Sequence, residues 1–178
     1  MGYPFRNLVF EGGRMKGIAH VGALQVLEEK NILPQILRVG GTSAGAITAV
    51  MVGLNDMPSK IWEAVSYINF GKFMDDDFGV VRDIHRLIYE FGWYKGNAFR
   101  KWIGEIIAHK AGHSEATFLQ VHRQKAAKGF RDLYFIGTNI STHFCEFFSY
   151  EHTPRMCVAD AVRISMSIPL FYTSRLSP

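Results

Sequence analysis

Five residues, Gly41-Thr42-Ser43-Ala44-Gly45, have the spacing G-x-S-x-G, which sets a hydroxyl between two residues that lack a Cβ atom. Such a turn is tight enough for side chains on either side of the serine to clash, so glycines are what the spacing calls for. A serine presented there stands exposed at the start of a helix. Free backbone N–H groups and the positive end of the helix dipole favour an oxyanion beside it. The chemistry is nucleophilic attack on a carbonyl, with Ser43 as nucleophile and Gly41, Thr42, Ala44 and Gly45 as its elbow.

A second segment, Glu11-Gly12-Gly13-Arg14-Met15-Lys16-Gly17, offers backbone N–H groups that can point toward an anion. It is the natural second half of an oxyanion hole. A dinucleotide fingerprint requires G-x-G-x-x-G, and Arg14 occupies its second glycine position when Gly12 is the first. A Walker phosphate loop fails as well, because the Gly-Lys-Ser/Thr ending is missing. Taken alone the segment is also compatible with a plain strand-to-helix turn. Its pairing with Ser43 makes it specific.

These loops need rigid elements to hold them. Leu8-Val9-Phe10 is a short apolar run ending at the glycine loop, and Ile18, Val21, Ala23, Leu24, Val26 and Leu27 then recur at helical spacing. Asn31 and Pro34 stop that helix, Ile36 to Val39 resumes an extended run, and Gly40-Gly41 leads into a second helix from about Ala44 to Leu54. Two strands joined by a helix imply a parallel pair with a right-handed crossover. From Pro58 to about Arg131 no convincing strand is expected, and helical patterns fall near Ser59–Ile68, Val80–Phe91, Asn97–His109 and Thr117–Ala126. Strand composition returns over Asp132–Asn139 and Phe144–Tyr150, followed by a helix from about Val158 to Ser167 that Pro169 ends. The reading is one α/β domain over residues 1–178, with a mostly parallel sheet and a helical insertion.

The 178 residues, 48% hydrophobic and 20% charged, suffice for one sizeable core. The formal charge of +4 permits an anionic lipid surface, but the cations form no tract and nucleic acid is not implied. Cys145 and Cys157 have no metal-ligand spacing and are expected to be buried thiols in a reducing compartment. No apolar core with a small-residue cleavage site follows Met1, and Val39–Asn55 is short and polar for a bilayer span. The expectation is a cytoplasmic protein, or one exported without a classical signal peptide, with no transmembrane segment. Asp75-Asp76-Asp77 reads as a solvated loop, and no metal or cofactor is implied. Trp62, Tyr67, Phe70, Phe73, Met74, Phe78, Phe91, Trp93, Tyr94, Phe99 and Trp102 suit an acyl groove or an interface, with ordinary core the expectation for most. Ser165 and Ser167 lack an elbow and read as helix residues, while His20, His109, His113, His122, His143 and His152 are assigned surface or core roles.

The glycine loop after the first strand and the elbow after the second together resemble the patatin-like phospholipase family, whose loop reads G-G-G-x-[KR]-G. The segment Asp160 to Pro169 is similar to the helix preceding that family's second catalytic element. The resemblance implies a three-layer α/β/α fold and a lipid acyl hydrolase of phospholipase A type with a Ser-Asp dyad. Its substrate is a phospholipid or other lipid ester, reached at a peripheral membrane surface. By that resemblance Ser43 is the nucleophile and the N–H groups around Gly12, Gly13 and Arg14 form the oxyanion hole. Lys16, beside Gly17, matches the family's basic loop residue. Two departures stand out: Arg14 replaces a third glycine, and none of the seven aspartates is followed by the glycine of the family's Asp-Gly motif. The catalytic aspartate is therefore expected outside this chain. A catalytically impaired lipid-binding or regulatory module stays open as the alternative. An α/β-hydrolase fits less well, because only two strands and one helix fit before Ser43.

Overall fold

A computed structural model describes residues 3–13, 17–66, 92–94, 96–167 and 170–172. Strand β1 (Asn7–Phe10) leads through the glycine loop to α1 (Gly17–Glu29), and a 3-10 turn at Leu33–Gln35 follows, with Pro34 inside it. Then come β2 (Arg38–Gly41), α2 (Ala44–Gly53) and α3 (Pro58–Ser66). After β3 (Gly92–Tyr94) the chain forms α4 (Asn97–Ala111), α5 (Phe118–Arg123) and α6 (Lys125–Lys128). It closes with β4 (Asp132–Thr138), β5 (Cys145–Ser149), α7 (Val158–Ser165) and β6 (Leu170–Tyr172).

The main sheet has the order β1-β2-β4-β5, parallel across the first three strands and antiparallel at β5. Because β1, β2 and β4 advance in one direction, right-handed crossovers carry the intervening helices to one face. That face bears Val39, Leu133 and Phe135: α2 lays Gly53 on Val39 and Leu133, and α7 lays Ile164 on Gly137. Every residue of α2 is buried, as its unbroken run of small and apolar side chains requires of a central helix. Its carboxyl end is pinned by Arg131, which donates from Nη1 to Val52 O at 2.7 Å and from Nη2 to Leu33 O at 2.9 Å. On the opposite face Val9 is 75% exposed and Phe147 52% exposed. The sheet and this helical side are two of the three layers that the resemblance implies.

The β4–β5 connection is a tightly bonded tip. Asn139 N donates to Phe144 O at 2.9 Å, and Asn139 Oδ1 accepts from the backbone N–H groups of Ser141 and Thr142. This frame holds Ile140 and Phe144 in solvent.

Three expectations change. The middle of the chain does contain a strand, β3, which pairs in parallel with β6 in a separate two-stranded sheet. With three residues it is too short to carry a recognisable alternation. The pattern over Thr117–Ala126 is two helices, α5 and α6, meeting at Gln124; α5 opens with a capping box between Thr117 and Gln120. Cys145 is exposed, at the start of β5, which among the described residues is the last strand of the main sheet; Cys157 is half-buried. Trp62 is exposed and Phe99 buried; Tyr67, Phe70, Phe73, Met74, Phe78, Phe91, the three aspartates at 75–77 and the helix expected at Val80–Phe91 lie outside the described residues.

Candidate active site

Residues Phe10 and Gly41 are partners in the parallel ladder, so β1 and β2 release their loops side by side at one end of the sheet. Ligands of open α/β sheets bind at this carboxyl end. Thr42 N donates back to Phe10 O at 3.2 Å, and the chain then reverses through Ser43 into α2. Ser43 is the N-cap, with φ 51° and ψ −127°. For a residue with a Cβ such a conformation costs about 1–3 kcal/mol, and it persists only where its surroundings impose it. Here they do so through close approach. A Cβ on Gly41 would lie 2.3 Å from Gly45 O, and one on Gly45 would lie 2.3 Å from Phe10 O. The two glycines of G-x-S-x-G are thus required by backbone-to-backbone contact. Gly45 N donates to Thr42 O at 2.8 Å and Ala46 N to Ser43 O at 2.9 Å, which starts the helix directly behind the serine.

The glycine loop lies against this turn. A Cβ on Gly12 would meet Ser43 Cβ at 3.1 Å and Thr42 O at 3.4 Å, so the loop backbone passes beside the serine side chain. Gly13 follows it, and Gly17 opens α1. Arg14 and Lys16, expected in the oxyanion hole and its support, lie outside the described residues. The structure brings together Gly12, Gly41, Thr42, Ser43, Ala44 and Gly45.

One residue that sequence reasoning set aside joins them. Ser165, the last residue of α7, accepts a hydrogen bond from the Ser43 backbone N–H at 3.1 Å. No local pattern announces this contact, since 122 residues separate the two. Helix α7 is held in place by Arg100, which donates from Nε to Asp160 Oδ1 at 2.8 Å and from Nη2 to Asp160 Oδ2 at 3.2 Å.

The three described aspartates are all engaged with cations. Asp56 pairs with Lys110 at 2.9 Å, Asp160 with Arg100 at 2.8 Å, and buried Asp132 with His122 at 2.7 Å and with Lys125. Among the described residues no carboxylate is hydrogen-bonded to the Ser43 hydroxyl. His152 bonds Ser149 at 2.8 Å, and His20 faces Thr48 at 3.4 Å beneath the Phe10 ring. Burial holds the His20 imidazole below its ordinary value, against the opposing pull of Glu11. Ligand atoms of Glu115, Cys157 and Asp160 lie within 4.8 Å of one another, the spacing of a cation site. Arg100 already fills that role, donating to Glu115 and Asp160 and approaching Cys157 Sγ at 3.9 Å. Burial also pushes the Cys157 thiol up, away from the thiolate a metal needs. Among the described residues no helix is long and apolar enough to cross a membrane.

Residues 8–178 match the family described as patatin-like phospholipase. An uncharacterized protein of Acanthamoeba polyphaga mimivirus is 28% identical over 165 residues, which is 92% of this chain and 52% of that protein. The uncharacterized protein YqhO of Bacillus subtilis (strain 168) is 30% identical over 173 residues, with 92% and 56% covered. The chain therefore spans about half the length of the curated relatives it matches. Two solved structures share the fold. One is ExoU of the Pseudomonas aeruginosa type III secretion system, crystallised with SpcU, at TM-score 0.69 and 23% identity over 94% of this chain and 39% of that one. The other is VipD from Legionella pneumophila, at TM-score 0.70 and 20% identity over 98% and 44%. An elbow and a glycine loop at the carboxyl end of a mostly parallel sheet agree with the family match, and this chain belongs to the patatin-like phospholipase family.

Proposed function

We propose that residues 1–178 form the larger part of a single catalytic domain that cleaves fatty acyl esters of lipids through an acyl-enzyme on Ser43. The observation that carries this reading is the strained Ser43 turn with the Gly12 backbone lying against it. Ser43 Oγ attacks the ester carbonyl carbon and gives its proton to a carboxylate, the aspartate of the family's Asp-Gly motif beyond these residues. The carbonyl oxygen becomes an oxyanion and accepts hydrogen bonds from the N–H groups of Gly12, Gly13 and Arg14. Collapse breaks the ester C–O bond, and the alcohol leaves with the proton. Water then attacks the acyl-serine, releasing the fatty acid and restoring the hydroxyl. No step uses a metal or a cofactor.

The substrate is a phospholipid or related lipid ester met at a membrane surface from the cytoplasmic side or after export without a signal peptide. The β4–β5 tip supports contact with that surface. Gly41 is level with Phe135 in the sheet, so β4 continues past the elbow by three further residues, and the tip carries Ile140 (44% exposed) and Phe144 (74% exposed). Apolar groups held by a rigid frame on the side of the elbow suit shallow insertion among lipid headgroups.

The test is release of free fatty acid from phospholipid vesicles. The expected result is release that Ser43→Ala lowers by about a thousandfold or more, and that rises when the polypeptide extends through an Asp-Gly motif. Equal release by both forms would reject the reading. A second reading, lipid binding without turnover, draws on the engagement of all three described aspartates in ion pairs. Vesicle binding with no Ser43-dependent release from the extended polypeptide would favour it.

A further inference from the structure

The carboxyl end of α7 reaches the elbow through one hydrogen bond, from Ser43 N–H to Ser165 Oγ at 3.1 Å. Ser43 is the N-cap of α2, where backbone N–H groups have no partner within the helix. Two donors further on are satisfied locally, Gly45 N by Thr42 O and Ala46 N by Ser43 O. The Ser43 N–H instead turns across to another helix. Its acceptor is well anchored: Val158, Ala159, Ala161 and Val162 of α7 are buried, and Arg100 grips Asp160 at the helix start. An alanine at position 165 would supply the same helix and leave the Ser43 amide unpaired beside the site.

We propose that Ser165 is a positioning residue for Ser43. Its hydroxyl holds the amide plane that fixes the positive-φ turn, and it occupies the one backbone donor on Ser43 itself. The Ser43 N–H is then engaged and leaves oxyanion donation to its neighbours, the Gly12–Gly13 loop and the N–H of Ala44. The functional meaning of this bond rests on Ser43 being the nucleophile, whereas the bond itself does not depend on activity.

The experiment compares wild type, Ser165→Ala and Ser165→Thr. Amide hydrogen exchange and the amide shift of Ser43 are read by NMR, beside the rate of Ser43 labelling by a fluorophosphonate and the melting temperature. One ordinary hydrogen bond corresponds to about a tenfold change, so exchange at Ser43 speeds about tenfold in Ser165→Ala and returns in Ser165→Thr. Labelling slows by a similar factor and is likewise restored, while exchange in the strands β2 and β4 stays unchanged. Unchanged Ser43 exchange in Ser165→Ala overturns the proposal whatever labelling does. Exchange that speeds throughout the sheet also overturns it, since Ser165 then merely stabilises the fold. A local exchange contrast on a wild type that takes no adduct supports the bond and counts against Ser43 as nucleophile.

Discussion

Gly12 and Ser43 lie so close that a methyl group on the first would meet Cβ of the second at 3.1 Å. That contact is tight enough to displace the loop by a few tenths of an ångström without preventing folding. Oxyanion donors act over a narrow range of distance. Gly12→Ala is therefore expected to keep its melting temperature within a few degrees and to slow acylation of Ser43 by about ten- to a hundredfold. The second-order labelling rate checks this, and an unchanged rate would contradict a role for the loop.

Gly45 is constrained by backbone rather than by side chains. A Cβ there would lie 2.3 Å from Phe10 O and 2.6 Å from Glu11 O, so β1 would have to move away from α2. Gly45→Ala should cost about 3 kcal/mol or more in urea unfolding. Gly22 in α1 is the counterpart: a Cβ there meets nothing within 4 Å, and Gly22→Ala should stabilise by about 0.5–1 kcal/mol.

The elbow was legible because each of its requirements is local. An apolar run, a glycine loop, a helical period and G-x-S-x-G follow one another within the first 54 residues, and the close contacts of Gly41 and Gly45 give those letters their physical reason. The limits were equally physical. Ser165 reaches Ser43 only once α7 has packed on the sheet, and no spacing rule connects residues so far apart. The strand β3 is stabilised by pairing with β6 near the other end of the described chain, which propensity over three residues cannot signal. The phenylalanine neighbours of Cys145 suggest a core, whereas among the described residues β5 is the last strand of the sheet and Cys145 is exposed.

His20 gives the fold a pH dependence. Burial lowers its folded value below about 6.5, the value it regains on unfolding, so the unfolded chain binds the proton more readily. The stability due to neutral His20 is complete above that pH and is lost as pH falls through the lowered folded value. The melting temperature should fall more between pH 7.5 and 5.5 in wild type than in His20→Gln. Equal falls would remove His20 from the account.

The apolar tip bears on how the domain meets lipid. Phe144→Ser combined with Ile140→Ser should weaken binding to anionic phospholipid vesicles by about tenfold or more, the equivalent of one large apolar side chain withdrawn from the interface. Labelling by a soluble fluorophosphonate should not change, because neither residue touches the elbow turn. Vesicle binding equal to wild type would show that the tip faces something other than lipid.

The most direct test of Ser43 is intact mass after exposure to a fluorophosphonate, run beside Ser43→Ala. The account predicts a single adduct on the folded wild type and none on the variant. An adduct that persists in Ser43→Ala, or a folded polypeptide extended through an Asp-Gly motif that takes none, would contradict it.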